Sequence, residues 1–194
     1  RPKMPLLSNL NLSDNRISKI EGLANLVKLS TFQVKRNEIG HGGLDDLVGL
    51  LECPSISALD LSDNRIADKE MVTEILAKMP NLAVLYMQNN PVCKEIPHYR
   101  KTMIISLPTL KYLDDRPVFE DERRFAVAWK RGGLEEERKE RALYKKEQED
   151  EHWRRHNEFK AMMERYKQEH EAKLLQESSS DQHSETESID SKKI

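Results

Sequence analysis

"LSDNRI" stands at residues 12–17 and returns, letter for letter, at 61–66. A hexapeptide written twice in 194 residues marks a structural unit used more than once. Taking the asparagine of each copy as an anchor, and asking what stands eight, five and three places before it and two after, widens the pattern. Asn15 gives Leu7, Leu10, Leu12 and Ile17, and Asn37 gives Leu29, Phe32, Val34 and Ile39. Asn64 gives Ile56, Leu59, Leu61 and Ile66, and Asn90 gives Leu82, Leu85, Met87 and Val92. All sixteen flanking positions are apolar, and the anchors step by 22, 27 and 26 residues.

This is LxxLxLxxNxL, the leucine-rich repeat. Within LxLxx, alternate residues of a short strand point in opposite directions, so the leucines bury while the residues between them face out. The asparagine side chain can bond backbone groups that the bend leaves unpaired. The fold class expected is therefore α/β: an SDS22-like leucine-rich-repeat solenoid with short parallel strands on its concave face. Convex segments carry Ile20, Leu23 and Leu26, then Leu44, Leu47, Leu50 and Leu51, then Met71, Val72, Ile75, Leu76 and Met79. Asp68 is the expected N-cap of a helix over the last set, and Pro80 helps end it.

A solenoid must close its ends. "PVCKEIPHYRKTMIISLPTLKYLDDRPV" reads as the C-terminal closure, with Leu110 and Leu113 over Leu82 and Leu85, but with Asp115 where a leucine belongs and Val118 where asparagine belongs. The chain opens without methionine and inside a repeat, and is read as a fragment with repeats or a cap missing upstream.

The residues between the buried leucines form the expected concave face, and the candidate protein-binding residues are Lys35, Asp60, Tyr86, Gln88, Tyr112, Asp114 and Arg116. Tyr86 and Tyr112, on successive strands, are the expected hot spot, because tyrosine offers large contact area with little rotamer loss. So few cations make no phosphate-binding strip, which argues against nucleic acid and for a protein ligand.

Composition agrees. Lys+Arg 32 against Asp+Glu 34 leaves a net charge of −2, with no single-sign field for nucleic acid or anionic lipid. No apolar run of 18 residues suggests membrane insertion. Cys53 and Cys93 lie 40 apart in no metal-binding spacing, as in a reduced cytosolic protein. His152 and His156 in "HWRRH" stand one helical turn apart but lack the glutamate and third ligand of a zinc site. "GHGG" at 40–43 lacks a following Lys-Ser/Thr and reads as a turn. No metal, cofactor or enzymatic activity is expected.

Past the cap, "FEDERRFAVAWKRGG" predicts a helix from Phe119 to Arg131, stopped by Gly132 and Gly133, with Phe125 and Trp129 packing back on the cap. Residues 1–131 form the repeat domain so defined. Residues 134–177 contain neither Pro nor Gly and hold 13 acidic and 11 basic residues, a long charged helix with acid-first pairs such as Glu137–Arg141 and Glu151–Arg155. Phe159, Met162, Met163, Tyr166, Leu174 and Leu175 make a partial stripe, interrupted by His170, that leaves coiled-coil pairing open. Residues 178–194, with six serines and four acids, read as a disordered tail.

The repeats, the closure "IPHYRKTMIISLPTLKYLDDRPVF" and above all "YLDDRPVF" followed by "AWKRGG" resemble the leucine-rich-repeat axonemal dynein assembly factors over residues 6–141. Repeats and cap alone are shared with many such proteins, including a splicing factor and phosphatase regulators. The resemblance implies a cytoplasmic scaffold of ciliated cells that helps pre-assemble dynein arms, with axonemal dynein chains, chaperones or other assembly factors as partners. The alternative is a resident component of the cilium, a leucine-rich-repeat adaptor docking dynein or another complex on the doublet microtubules. Oligomeric state is left open.

Overall fold

The structure, a computed structural model, describes residues 6–190, with side chains described as far as Gln176. Its contacts divide the chain into two units, residues 1–141 and 142–194.

Each apolar LxL triplet forms one short strand: β1 (Asn9–Asn11), β2 (Thr31–Gln33), β3 (Ala58–Asp60) and β4 (Val84–Tyr86). With β5 (Tyr112–Leu113) they pair in parallel, each with the next, and Leu10, Phe32, Leu59, Leu85 and Leu113 stand in one row. A row of identical inward positions is what register demands when one face is buried. The twelve anchor-related residues of the second, third and fourth coils, Leu29 through Val92, are each at most 2 % exposed, and they form one continuous core. Leu10, Leu12 and Ile17 of the first coil pack against that core while half-buried.

The asparagines tie coil to coil. Asn64 donates through Nδ2 to the carbonyls of Leu61 (3.0 Å) and Ser62 (3.1 Å) in its own coil and of Val34 (3.0 Å) in the one before, while its Oδ1 accepts from Ile39 N (3.2 Å). Asn90 repeats this toward Leu61, Met87 and Ile66, and Asn37 toward Leu12, Val34 and Ile17. Burial in a polar-satisfied ladder explains the fixed letter, since no other side chain supplies both amide donors and a carbonyl acceptor at that length. Just before each ladder asparagine the backbone turns left-handed, at Asp14, Arg36, Asp63 and Asn89. Asp and Asn suit that region and Arg does not, so Arg36 is the strained member of the set.

The convex sides are short turns more than helices. The segment expected as one helix is α1 (Met71–Glu74) followed by a 3-10 turn, Leu76–Lys78. The regular α-helix starts after Glu70, which makes no side-chain cap bond, while Asp68 Oδ1 accepts from Glu70 N at 2.9 Å and so caps the turn that leads into it. Short 3-10 pieces are common at helix ends and as connectors, which is their place here. At Gly40, φ is +113° and an added Cβ would lie 2.6 Å from the backbone of Ile66, so only glycine lets these two coils approach.

The cap begins with α2 (Val92–Glu95) and α3 (Tyr99–Ser106). The expected fifth coil does not continue. After β5 the chain turns at Asp114–Asp115 and returns as β6 (Arg116–Pro117), antiparallel to β5. This explains Asp115 and Val118: Asp115 lies in the exposed turn, and Val118 N bonds back to Lys111 O at 2.8 Å. Helix α4 (Glu120–Asp190) is broken at Gly132 and at Gly133, whose φ is +68°.

Before the break, Phe125 is buried and Trp129 packs edge-on against His98 at 4.8 Å. After it, the chain doubles back: Glu140 accepts from Arg124, Arg141 lies over the Phe125 ring at 4.2 Å, and Glu137 is buried against Lys101. Residues 134–141, grouped with the charged arm by composition, therefore belong to the cap, because their carboxylates answer cations that the cap presents. In residues 142–194 the helix carries the expected Glu151–Arg155 pair. The tail expected to be disordered, 178–194, lies outside the residues whose side chains are described.

Candidate protein-binding surface

Outward positions of the parallel strands align in rows. Asn9, Thr31, Ala58, Val84 and Tyr112 form one, and Asn11, Gln33, Asp60 and Tyr86 the next. Tyr112 therefore sits diagonally from Tyr86, across one strand and one row, which suits two large rings. Their centroids are 6.0 Å apart with planes tilted by 45°. Both rings are half-buried, and together they make a platform at the C-terminal end of the face, next to Val84 and Ala58 in the outward row. Burial raises the pKa of the Tyr86 phenol, and Tyr112, Asp115, Asp60 and Asp114 raise it further, so the hydroxyl stays protonated as a donor at the rim of the platform.

The other expected residues divide by what already holds them. Asp60 turns Oδ1 onto Ser62, accepting from its N at 2.9 Å, as Asn11 does for Ser13. Tyr86 occupies the same row and cannot act so. Asp114 instead reaches over from the next coil, accepting from Met87 N (2.8 Å) and Gln88 N (3.1 Å). Asp114 is thus occupied as a backbone acceptor, and the tyrosine is accommodated in the row by that substitution. Gln88 lies half-buried in the turn that Asp114 closes. Lys35 pairs with Asp63 at 3.5 Å. Arg116 departs from expectation: the hairpin carries it to the edge strand opposite Leu113, not into the row beyond Asp114. The platform therefore consists of Tyr86 and Tyr112, flanked by Asp60, Gln88 and the Lys35–Asp63 pair.

Sequence reasoning missed the residues that fix the platform's outer border. Arg100 donates to both oxygens of Glu122 (2.6 and 2.7 Å) and to the carbonyls of Leu113 and Pro117, gripping both strands of the hairpin. Arg123 donates to the carbonyls of Ile104 and Leu110, closing the end of α3. The signal was present as cations in "YRK" and "RRF", but charge alone gave no partner. Arg100 holds the Glu122 carboxyl below its ordinary pKa. Burial opposes ionisation of Glu137, yet hydrogen bonds from Lys101 and Arg141 outweigh it and leave its pKa lowered too.

Among the described residues no group of three His, Cys, Asp or Glu is placed to hold a metal ion, and no helix is long and apolar enough to cross a membrane.

A family model described as leucine-rich repeat matches residues 6–141. The chain belongs to the leucine-rich-repeat family. Within it, the chain is 46% identical over 120 residues to leucine-rich repeat-containing protein ODA7 of Chlamydomonas reinhardtii, covering 62% of this chain and 27% of that protein. It is 55% identical over 104 residues to the dynein axonemal assembly factor 1 homolog of Aedes aegypti, covering 54% and 9%, and 48% identical over 96 residues to human dynein axonemal assembly factor 1, covering 50% and 13%. The resemblance to the assembly factors is thus borne out, and the chain spans about a quarter or less of the length of these relatives. Among solved structures, the Drosophila melanogaster SNF/U2A' complex matches with a TM-score of 0.54 at 23% identity, covering 73% of this chain and 76% of that one. That likeness concerns the fold: leucine-rich repeats as a parallel-stranded coil.

Proposed function

We propose that this leucine-rich-repeat chain is a non-enzymatic, protein-binding region of an axonemal dynein assembly factor, acting in the cytoplasm of ciliated cells before dynein arms enter the cilium. The observation that carries the reading is identity of about half the residues, over 104 and 96 residues of this chain, to proteins named for axonemal dynein assembly. An axonemal dynein chain, alone or held by a chaperone, docks on the concave platform. Tyr86 and Tyr112 supply its apolar anchor, and Asp60 and Gln88 supply polar contacts at the rim.

The test is fractionation of ciliated cells carrying the tagged full-length protein. Co-purification of axonemal dynein chains from the cell-body cytoplasm, with little protein in detergent-extracted axonemes, supports assembly. Retention of most of the protein on extracted axonemes favours the resident adaptor and overturns the assembly reading.

A further inference from the structure

In the second unit, Phe159, Met163 and Tyr166 are 59 %, 49 % and 66 % exposed on one helix. Phe159 to Met163 is a step of four, and Met163 to Tyr166 a step of three. Continuing the alternation outward reaches His156 and His152 on one side and His170 on the other. In heptad terms the apolar centre is Phe159 and Tyr166 at d with Met163 at a, and the same positions continue as histidines, His152 at d and His156 and His170 at a. The histidine that interrupts the apolar stripe is thus a regular member of the seam. One step further in each direction stand Glu149 at a and Lys173 at d. The rings also pack along the helix: Tyr166 stacks on His170 at 6.5 Å, and Trp153, at e, meets His156 edge-on at 5.8 Å.

We propose that this seam pairs antiparallel with the same seam of a second copy, in the register that sets Phe159 against Met163 of that copy. Charge selects this arrangement. The same register sets His156 against Tyr166, His152 against His170, and Glu149 against Lys173 of the second copy. At the flanking e and g positions it brings Arg155 beside Glu169 and Trp153 beside Lys167, an ion pair and a cation–π contact. Two-fold symmetry makes each of these occur twice, and leaves one like-charged contact, Lys160 with Lys160 at the centre.

A parallel pair would set Glu149 on Glu149, Lys173 on Lys173 and Arg155 beside Lys160, so it is rejected by repulsion at three levels. Sliding the antiparallel pair by a heptad parts Arg155 from Glu169 and Glu149 from Lys173, and puts Lys160 beside Lys167 in one direction or Lys146 beside Lys167 in the other. The paired stretch runs from 149 to 173, about 37 Å of helix. It draws on no residue of the concave face, so the two proposals stand or fall separately.

The test uses the full chain. Sedimentation equilibrium should read a monomer–dimer equilibrium, and a chain monomeric up to about 200 μM, short of a millimolar association, overturns the proposal. Arg155→Glu and Glu169→Arg should each weaken the dimer about tenfold, and the two together should restore it. A double variant no tighter than the singles overturns the register. Under glutathione oxidation, with the unaltered chain as control for Cys53 and Cys93, Met162→Cys should form an intermolecular disulfide, because Met162 faces its own copy near the two-fold axis. His152→Cys should not. The reverse result would mean a parallel pair and contradict the proposal, and circular dichroism reads the helix content of every variant.

Discussion

Asp114 does for the end of β4 what Asp60 does for the end of β3: each carboxylate accepts from the backbone N–H two residues past the strand's outward row, Gln88 at 3.1 Å and Ser62 at 2.9 Å. The difference is that Asp60 serves its own coil and Asp114 the coil before it. This is why a tyrosine can stand at position 86.

Asp114→Ala would leave Met87 N and Gln88 N without their acceptor. Losing a part-buried acceptor costs about 1–3 kcal/mol, whereas Asp114→Asn keeps the accepting oxygen and should cost well under half of that. Chemical denaturation of the three proteins checks the order. Equal losses for Asn and Ala would mean the carboxylate charge, not the backbone bonds, matters there.

The ladder should show a gradient. Asn64 is 6% exposed and bonds three carbonyls and one N–H, while Asn15 is exposed and bonds two carbonyls of its own turn. Asn64→Ala should destabilise by about 2 kcal/mol or more, and Asn15→Ala by less than about 1 kcal/mol. Urea midpoints compared at constant slope read both.

Gly133 has φ +68° with ψ −152°, a region open essentially to glycine. Gly133→Ala should cost about 1–3 kcal/mol and loosen the return of residues 134–141 onto the cap. At Gly132, whose φ of −155° any residue adopts, the three nearest atoms to an added Cβ belong to the Glu136 side chain, with Cγ well inside contact distance, so Gly132→Ala requires that side chain to shift but adds no backbone strain and should be milder. Hydrogen exchange at 134–141 separates the two, and equal protection in both variants would contradict the geometry.

Acid should loosen the cap before the coils. Glu122 and Glu137 both have lowered pKa values in the folded chain. Their contribution is therefore fully present above the unfolded carboxylate pKa, near 4.3, and is lost as pH falls through the lower folded values. Thermal melts between pH 7 and pH 3 should fall less steeply for the Glu122→Gln, Glu137→Gln double variant than for the parent. Parallel curves would show that neither pair contributes.

The repeating coils were legible because each letter has one job. Leucine fills a fixed slot, and asparagine alone meets the ladder's donors and acceptor. The tyrosine pair was legible as well, since strand alternation places side chains without knowledge of partners. The hairpin that replaces a fifth coil was not, because "LDDRPV" fits a strand pattern as far as Leu113 and only the Asp114 turn reveals the reversal. Nor were the grips of Arg123, whose partners are carbonyls that any sequence supplies, and of Arg100, which joins such carbonyls to Glu122, a partner 22 residues away.

Binding of a dynein chain at the concave platform is open to a direct capture experiment. Tagged parent protein and the Tyr86→Ala, Tyr112→Ala double variant are used to draw axonemal dynein chains from ciliated-cell cytoplasm, with the Tm of each measured alongside. The double variant should capture at least tenfold less dynein, equivalent to about 1.4 kcal/mol, at a nearly unchanged Tm. Undiminished capture by a folded double variant would contradict it.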